Sequence, residues 1–216
     1  MNWFDRITLL LTGLVAIYLL WRFYGHYREK KSIADIWYMV AFGVLLVAGL
    51  LLIAFTYDAL DNALVVIVSY LIPAGISLGL VTQFYPQYGR WYLVFVILGL
   101  ILIGVTRLFE METMGKIVLP IFHSTAGLII FLLPIFVVRK GRTPASFAWV
   151  SVGGALIGVG GIALAFLKAD NQLLFFSGDV VFAILGPLLL LTSLAFGWGF
   201  MKVMTAEETE DTLAPT

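Results

Sequence analysis

The stretch RLFEMETMGKIVLPIFHSTAGLIIFLLP, residues 107–134, contains both features from which the fold can be predicted. A short charged connector holds Arg107, Glu110, Glu112 and Lys116. The residues after it are almost all apolar and carry no formal charge, although a histidine, His123, lies among them. A charged connector that leads into an apolar run of this length is typical of a chain that crosses a membrane more than once.

The composition of the whole chain agrees with this interpretation. Of 216 residues, 62% are hydrophobic and only 12% are charged, whereas about a quarter of the residues in soluble domains are charged. The formal net charge is zero, so nothing in the overall charge suggests a nucleic-acid partner. The chain has no cysteine, which excludes disulfides, thiolate catalysis and Cys-ligated metals.

We predict an all-α integral membrane protein, a bundle of seven transmembrane helices in one domain over residues 1–202, whose surroundings are the lipid bilayer. A helix needs about 20 largely apolar residues to cross the hydrocarbon. The acidic segment 203–216 is predicted to be a disordered tail. The predicted helices are 5–24, 35–56, 63–84, 91–110, 117–138, 145–168 and 174–200.

Lysine and arginine indicate the orientation, because cytoplasmic connectors are enriched in them. With the N-terminus outside and the C-terminus in the cytoplasm, the predicted cytoplasmic side receives most of these cations. We therefore expect a multi-pass protein of the cell membrane in this orientation. The cytoplasmic set is Arg22, Arg28, Lys30, Lys31, Arg90, Arg139, Lys140, Arg142 and Lys202, against Arg6, Arg107, Lys116 and Lys168 outside.

Three ionisable residues are predicted at similar depth in the outer half of the bundle: Arg107 on the fourth helix, His123 on the fifth and Asp179 on the seventh. Ionisable groups at membrane depth usually face the bundle interior and pair with one another. With Tyr70 and Ser124 as polar neighbours, they form the predicted ligand-binding pocket. One alternative is a salt bridge and a bonded histidine that only fix helix packing. Another is that Arg107 and Asp179 extend to the membrane interface and do not meet.

Other polar and small residues receive structural interpretations. His26 lies among basic residues and is expected to contact solvent or lipid headgroups, and Asp35 is expected to cap the second helix. Pro73 predicts a kink in the third helix. Gly154 and Gly158 form a small-residue face, which packs inside the bundle or against a partner subunit or second copy.

Metal and cofactor sites find little support in the sequence. Met111, Met114 and His123 are too few soft ligands to predict a metal site. The N-out seven-helix plan is similar to that of the microbial rhodopsins, but Lys202 lies at the cytoplasmic end rather than mid-helix, where a retinal Schiff base needs it. No cofactor is identified, and no motif of an enzyme active site is present.

Three function classes remain. The one we favour is a sensor or ligand-binding protein, similar in topology to the membrane modules of some sensory kinases, with a small-molecule ligand in the outer half. The second is a small-solute or proton-coupled transporter, because SWEET-type sugar transporters share the N-out seven-helix plan. The third is a non-catalytic accessory subunit of a larger membrane complex.

Overall fold

A computed structural model describes residues 1–168 and 177–213, almost all of them helical. Two short 3-10 helices, Thr56–Asp61 and Ala145–Phe147, accompany the α-helices. The α-helices are α1 (Trp3–Lys30), α2 (Ile33–Phe55), α3 (Ala63–Ser69), α4 (Leu71–Phe84), α5 (Pro86–Leu108), α6 (Glu112–Arg139), α7 (Ala148–Lys168) and α8 (Gly178–Leu213).

Within the described residues, seven helical segments are long and apolar enough to cross a membrane, with α3 and α4 together forming one of them. The seven predicted helices are thus confirmed as helices. Five of the six tryptophans are exposed, Trp3 and Trp91 most of all, as expected for amphipathic rings at an interface. The outer surface between the ends is rich in exposed leucine, isoleucine and valine.

The helix boundaries differ from the prediction at several ends. Helix α1 continues to Lys30 rather than ending at residue 24, since the polar residues that follow the apolar run are helical too. Helix α6 begins at Glu112, five residues before the predicted start. Helix α8 continues to Leu213, so residues 203–213 are helical where a disordered tail was predicted. Residues 174–176 of the seventh predicted helix lie outside the described residues.

Six helices form a closed ring, and the remaining long helix, α5, packs outside it. Around the ring, α1 contacts α2, then follow α4, α6, α7 and α8, and α8 returns to α1. Helix α5 packs against α3, α4 and α6. We call the end of the bundle where α1 begins the first end, and the end where α1 finishes the second end.

The ring interior is filled by aromatic side chains near the second end. The rings of Phe23, Phe42, Phe196 and Phe200 lie 5.4–6.5 Å apart in consecutive contacts, within the range of favourable edge and stacked pairs. Each of these phenylalanines is at most 3% exposed. The aromatic cluster therefore leaves this part of the ring without an open passage.

The third span is broken at Tyr70, between α3 and α4. Pro73 has no backbone N–H, so it cannot donate to the carbonyl of Ser69. The Ser69 hydroxyl donates to the carbonyl of Val66 at 2.9 Å, and the fully buried Tyr70 ring joins a second apolar core with Phe122 of α6. The interruption predicted from Pro73 is thus present three residues earlier.

Glycines allow the closest approaches between helices. A Cβ at Gly75 of α4 would lie 2.7 Å from the backbone carbonyl oxygen of Trp37 on α2. A Cβ at Gly154 of α7 would lie 2.9 Å from Ile130 Cγ2 on α6, so Gly154 packs within the chain. A Cβ at Gly158 would meet no atom within 4 Å. Small residues at crossings are what helix packing in lipid requires.

Gly75→Ala tests the α2–α4 crossing. The added methyl group meets backbone, which cannot rotate away, so the two helices must separate; we expect a loss of about 1–3 kcal/mol in the free energy of unfolding. The matched control is Gly43→Ala on α2, where the added atom has open space. Equal midpoints for the two variants in denaturant unfolding would contradict this account of the crossing.

Candidate functional site

The residues of the predicted outer pocket lie apart. Arg107 is in the last turn of α5 and Asp179 is exposed in the first turn of α8, and these helices pack against different neighbours. His123 and Ser124 are exposed on the outside of α6. In the described part of the chain, no ion pair joins Arg107, His123 or Asp179.

The other two residues of the predicted pocket, Tyr70 and Ser124, also make contacts of their own rather than with each other. Tyr70 is fully buried, and its hydroxyl approaches the Val96 carbonyl oxygen at 3.5 Å, beside Gly99 of α5. The Ser124 hydroxyl donates to the Ile121 carbonyl one turn earlier at 3.3 Å. The Arg107 Nε is buried without a hydrogen-bond partner among the described residues. A ligand-binding role for these residues stays a prediction.

The structure brings together a different pair at the second end. Lys31 has a φ of 54° in the left-handed region and its N–H donates to the Tyr27 carbonyl at 2.9 Å, which ends α1. Helix α2 begins two residues later. This tight connection folds α2 back along α1 and places Asp35, in the first turn of α2, beside His26 near the end of α1.

His26 and Asp35 form a short, buried hydrogen bond. Nδ1 of His26 lies 2.7 Å from Oδ2 of Asp35, and the two side chains are only 10% and 4% exposed. An ionisable group withdrawn from water in this way is costly unless it is paired. The pair therefore satisfies two groups that would otherwise destabilise the junction of α1 and α2.

A second polar contact lies next to this pair. The Tyr38 hydroxyl donates to Oε1 of Gln83 at 2.8 Å, joining α2 to α4. A Cβ at Gly79 would overlap the Tyr38 ring, so only glycine lets this ring lie flat against α4. The contact brings a third helix to the site.

A cavity of about 10 Å³ adjoins these polar groups. This volume is about that of one water molecule in a polar site. Helix α8 and the Ala145–Phe147 turn complete its wall with apolar side chains. The lining residues are Phe23, His26, Asp35, Tyr38, Gln83, Phe147, Phe200, Val203 and Met204.

The chemistry that this site offers is proton binding. His26 is the side chain whose ordinary pKa is nearest neutral pH, Asp35 is its acidic partner, and the remaining wall is largely aromatic. Among the described residues, no group of three His, Cys, Asp or Glu side chains is arranged to hold a metal ion. The site therefore offers an acid–base pair and room for a water molecule.

A second buried carboxylate lies at the first end. Asp5 is 3% exposed; its Oδ2 accepts from the Asn2 N–H at 2.9 Å, and its Oδ1 is buried without a hydrogen-bond partner among the described residues. Thr8 donates to the Asp5 carbonyl, and Gly186 of α8 lies against both residues. The capping box at Asn2 provides a hydrogen bond for Oδ2 of Asp5 but none for Oδ1.

The sequence interpretation of His26 as a solvated residue and of Asp35 as a cap missed the pairing. The signal available in the sequence is the short connection: His26 lies four residues before the end of α1, and Asp35 lies two residues after the start of α2. The two side chains are therefore expected at the same end of neighbouring helices. Their burial could not be predicted, because the apolar residues of α1 lie on all sides of the helix.

No protein-family model, curated protein or solved structure matches this chain.

Asp35→Ala tests whether the pair stabilises the second end. The substitution leaves the buried His26 Nδ1 without the Asp35 carboxylate, so we expect a loss of about 1–3 kcal/mol in the free energy of unfolding. The control is Asp58→Ala, at an exposed aspartate that makes no described polar contact, where we expect a change within about 0.5 kcal/mol. Equal losses for the two substitutions would show that the His26–Asp35 pair does not contribute to the stability of the bundle.

Proposed function

We propose that this chain is a non-catalytic sensor of the cell membrane, with its N-terminus outside and its C-terminus in the cytoplasm, and that the His26–Asp35 pair is the responsive element. The orientation follows the distribution of lysine and arginine, and it makes the second end cytoplasmic. The observation that carries the proposal is the 2.7 Å contact between two ionisable side chains that are almost fully buried. The ligand is a proton, because the adjoining space holds no more than a water molecule.

A change of charge at this pair acts on several helices at once. His26 belongs to α1 and Asp35 to α2, while Gln83 of α4 and Phe200 of α8 line the same cavity. Protonation of His26 places a positive charge on the donor of its hydrogen bond to the Asp35 carboxylate, which turns the contact into a salt bridge and strengthens it.

Helix α8 is the element that carries the response to protonation toward the cytoplasmic end of the chain. Val203 and Met204 line the cavity, and α8 continues past the end of its apolar span at Ala206 to Leu213. Movement at the cavity wall is therefore transmitted along one continuous helix to the cytoplasmic end of the chain. A partner protein that binds this end of α8 would supply the output.

Two alternatives are supported to different degrees. A transporter needs a passage between the two ends, and the aromatic cluster Phe23, Phe42, Phe196 and Phe200 occupies the ring interior along that route. An accessory subunit needs a surface for another protein, and the exposed His123 on α6 favours such a surface. Association with a partner is compatible with the sensor, which has no output domain of its own among the described residues.

The test of proton sensing compares the wild-type protein with His26→Gln in lipid nanodiscs at about pH 6 and about pH 8. The salt bridge to the Asp35 carboxylate exists only when His26 is protonated, so we expect the wild-type melting temperature to be about 2–4 °C higher at the lower pH. The difference should disappear in His26→Gln. His123→Gln, which removes the other of the two histidines, serves as the control and should keep the difference.

A second measurement separates sensing from a purely structural role. Hydrogen exchange of residues 199–206 on α8 should change between the two pH values in the wild-type protein and stay constant in His26→Gln. If only the melting temperature responds and exchange on α8 does not, the pair is a structural contact and the sensor proposal fails.

A further inference from the structure

The outward face of α6 carries a polar group that the chain itself leaves unsatisfied. His123 is exposed, and it makes no hydrogen bond or ion pair with any described residue. It lies 11 residues after the first residue of α6, or ~16 Å along a helix axis of ~42 Å at ~1.5 Å per residue. The last charged residue before it is Lys116, seven residues earlier, so in a bilayer-spanning α6 the imidazole lies ~10 Å inside the apolar part of the span.

Such a position is unfavourable against lipid. Hydrocarbon offers no hydrogen-bond partner, and ionisable residues at this depth usually face protein or a water-filled cavity. The adjacent hydroxyls are different, because Ser124 and Thr125 both donate to the Ile121 carbonyl within the helix. His123 is the group of this face that requires a partner from outside the described chain.

The surface around His123 permits a second helix to approach closely. A Cβ at Gly127 would meet no atom within 4 Å, so the backbone of α6 is open there. Ser124 and Leu128 are both exposed and lie one turn apart on the same face. Small residues beside a polar one are typical of helix–helix contacts in membranes.

We propose that this face binds the same face of a second copy of the chain, about a two-fold axis perpendicular to the membrane. Copies inserted in the same orientation bring the two α6 helices together in parallel, with identical residues at identical depth. This inference does not depend on proton sensing by His26.

Hydrogen-bond complementarity favours a second copy as the occupant. A neutral imidazole has one N–H donor, and the Ser124 oxygen keeps lone pairs after donating to Ile121. The two-fold axis places the His123 donor of one copy opposite the Ser124 acceptor of the other, twice. Each copy thus supplies what the other lacks.

The experiment uses the natural absence of cysteine, so single-cysteine variants need no prior substitution. Ser124→Cys and Leu128→Cys are expressed in membranes and treated with a mild oxidant, and we expect a disulfide-linked dimer from both, because the axis brings these side chains together. The control is Leu191→Cys on α8, which is 54% exposed and lies 13 residues into its helix, at comparable depth on another face. We expect little cross-linking there.

A second readout tests the role of His123 itself. In His123→Leu the two interhelical hydrogen bonds are lost, and we expect the dimer dissociation constant in bilayers, measured by energy transfer between labelled copies, to rise roughly eightfold. Leu191→Ala should leave it unchanged. Equal cross-linking at residues 124, 128 and 191, a monomer at all concentrations, or cross-linking of residue 124 to a different protein would each overturn the proposal.

Discussion

The return of α8 to α1 is the contact on which the ring depends. A Cβ at Gly186 would lie 2.5 Å from Oγ1 of Thr8 and 3.4 Å from the Asp5 backbone, so α8 reaches α1 only because this position has no side chain. Further along, Gly197 faces Val15 and Leu19. The two helices run in the same direction, and their contact makes the first and last spans neighbours.

The two buried carboxylates lie at opposite ends of the ring, and the interior between them is mainly apolar. Between Asp5 at one end and His26 at the other, α1 presents Leu9, Ala16 and Leu19 to its neighbours, all at most 2% exposed. The hydroxyls of Thr8 and Thr12 on this buried face donate to backbone carbonyls of α1 itself. These two hydroxyls are thereby satisfied locally, and the two carboxylates remain separate sites.

The helices were predictable because they depend on local composition, whereas the neighbours of each helix were not. Hydropathy identifies an apolar run of sufficient length, and the seven runs are helices. The boundaries moved because helices continue through polar residues when caps are available, as at Lys31. The predicted meeting of Arg107 with Asp179 required α5 beside α8, and hydropathy contains no information on that order. The His26–Asp35 pair, by contrast, spans one tight connection, so its two residues could be predicted to lie near each other; their burial could not, because the apolar residues of α1 lie on all sides of the helix.

The outward position of His123 changes the meaning of this residue. The sequence predicted it inside a pocket among several helices, in the outer half of the bundle. Helix α6 begins at Glu112, but the last charged residue before His123 is Lys116, so the imidazole lies inside the apolar part of the span. Its exposure on the outside of the bundle then conflicts with a lipid environment, since the cost of an unsatisfied polar group rises with depth. Phe122, on the neighbouring face, is buried against α5, so a rotation of α6 that hid His123 would expose this core residue. Satisfaction of the imidazole from outside the chain resolves the conflict without disturbing that packing.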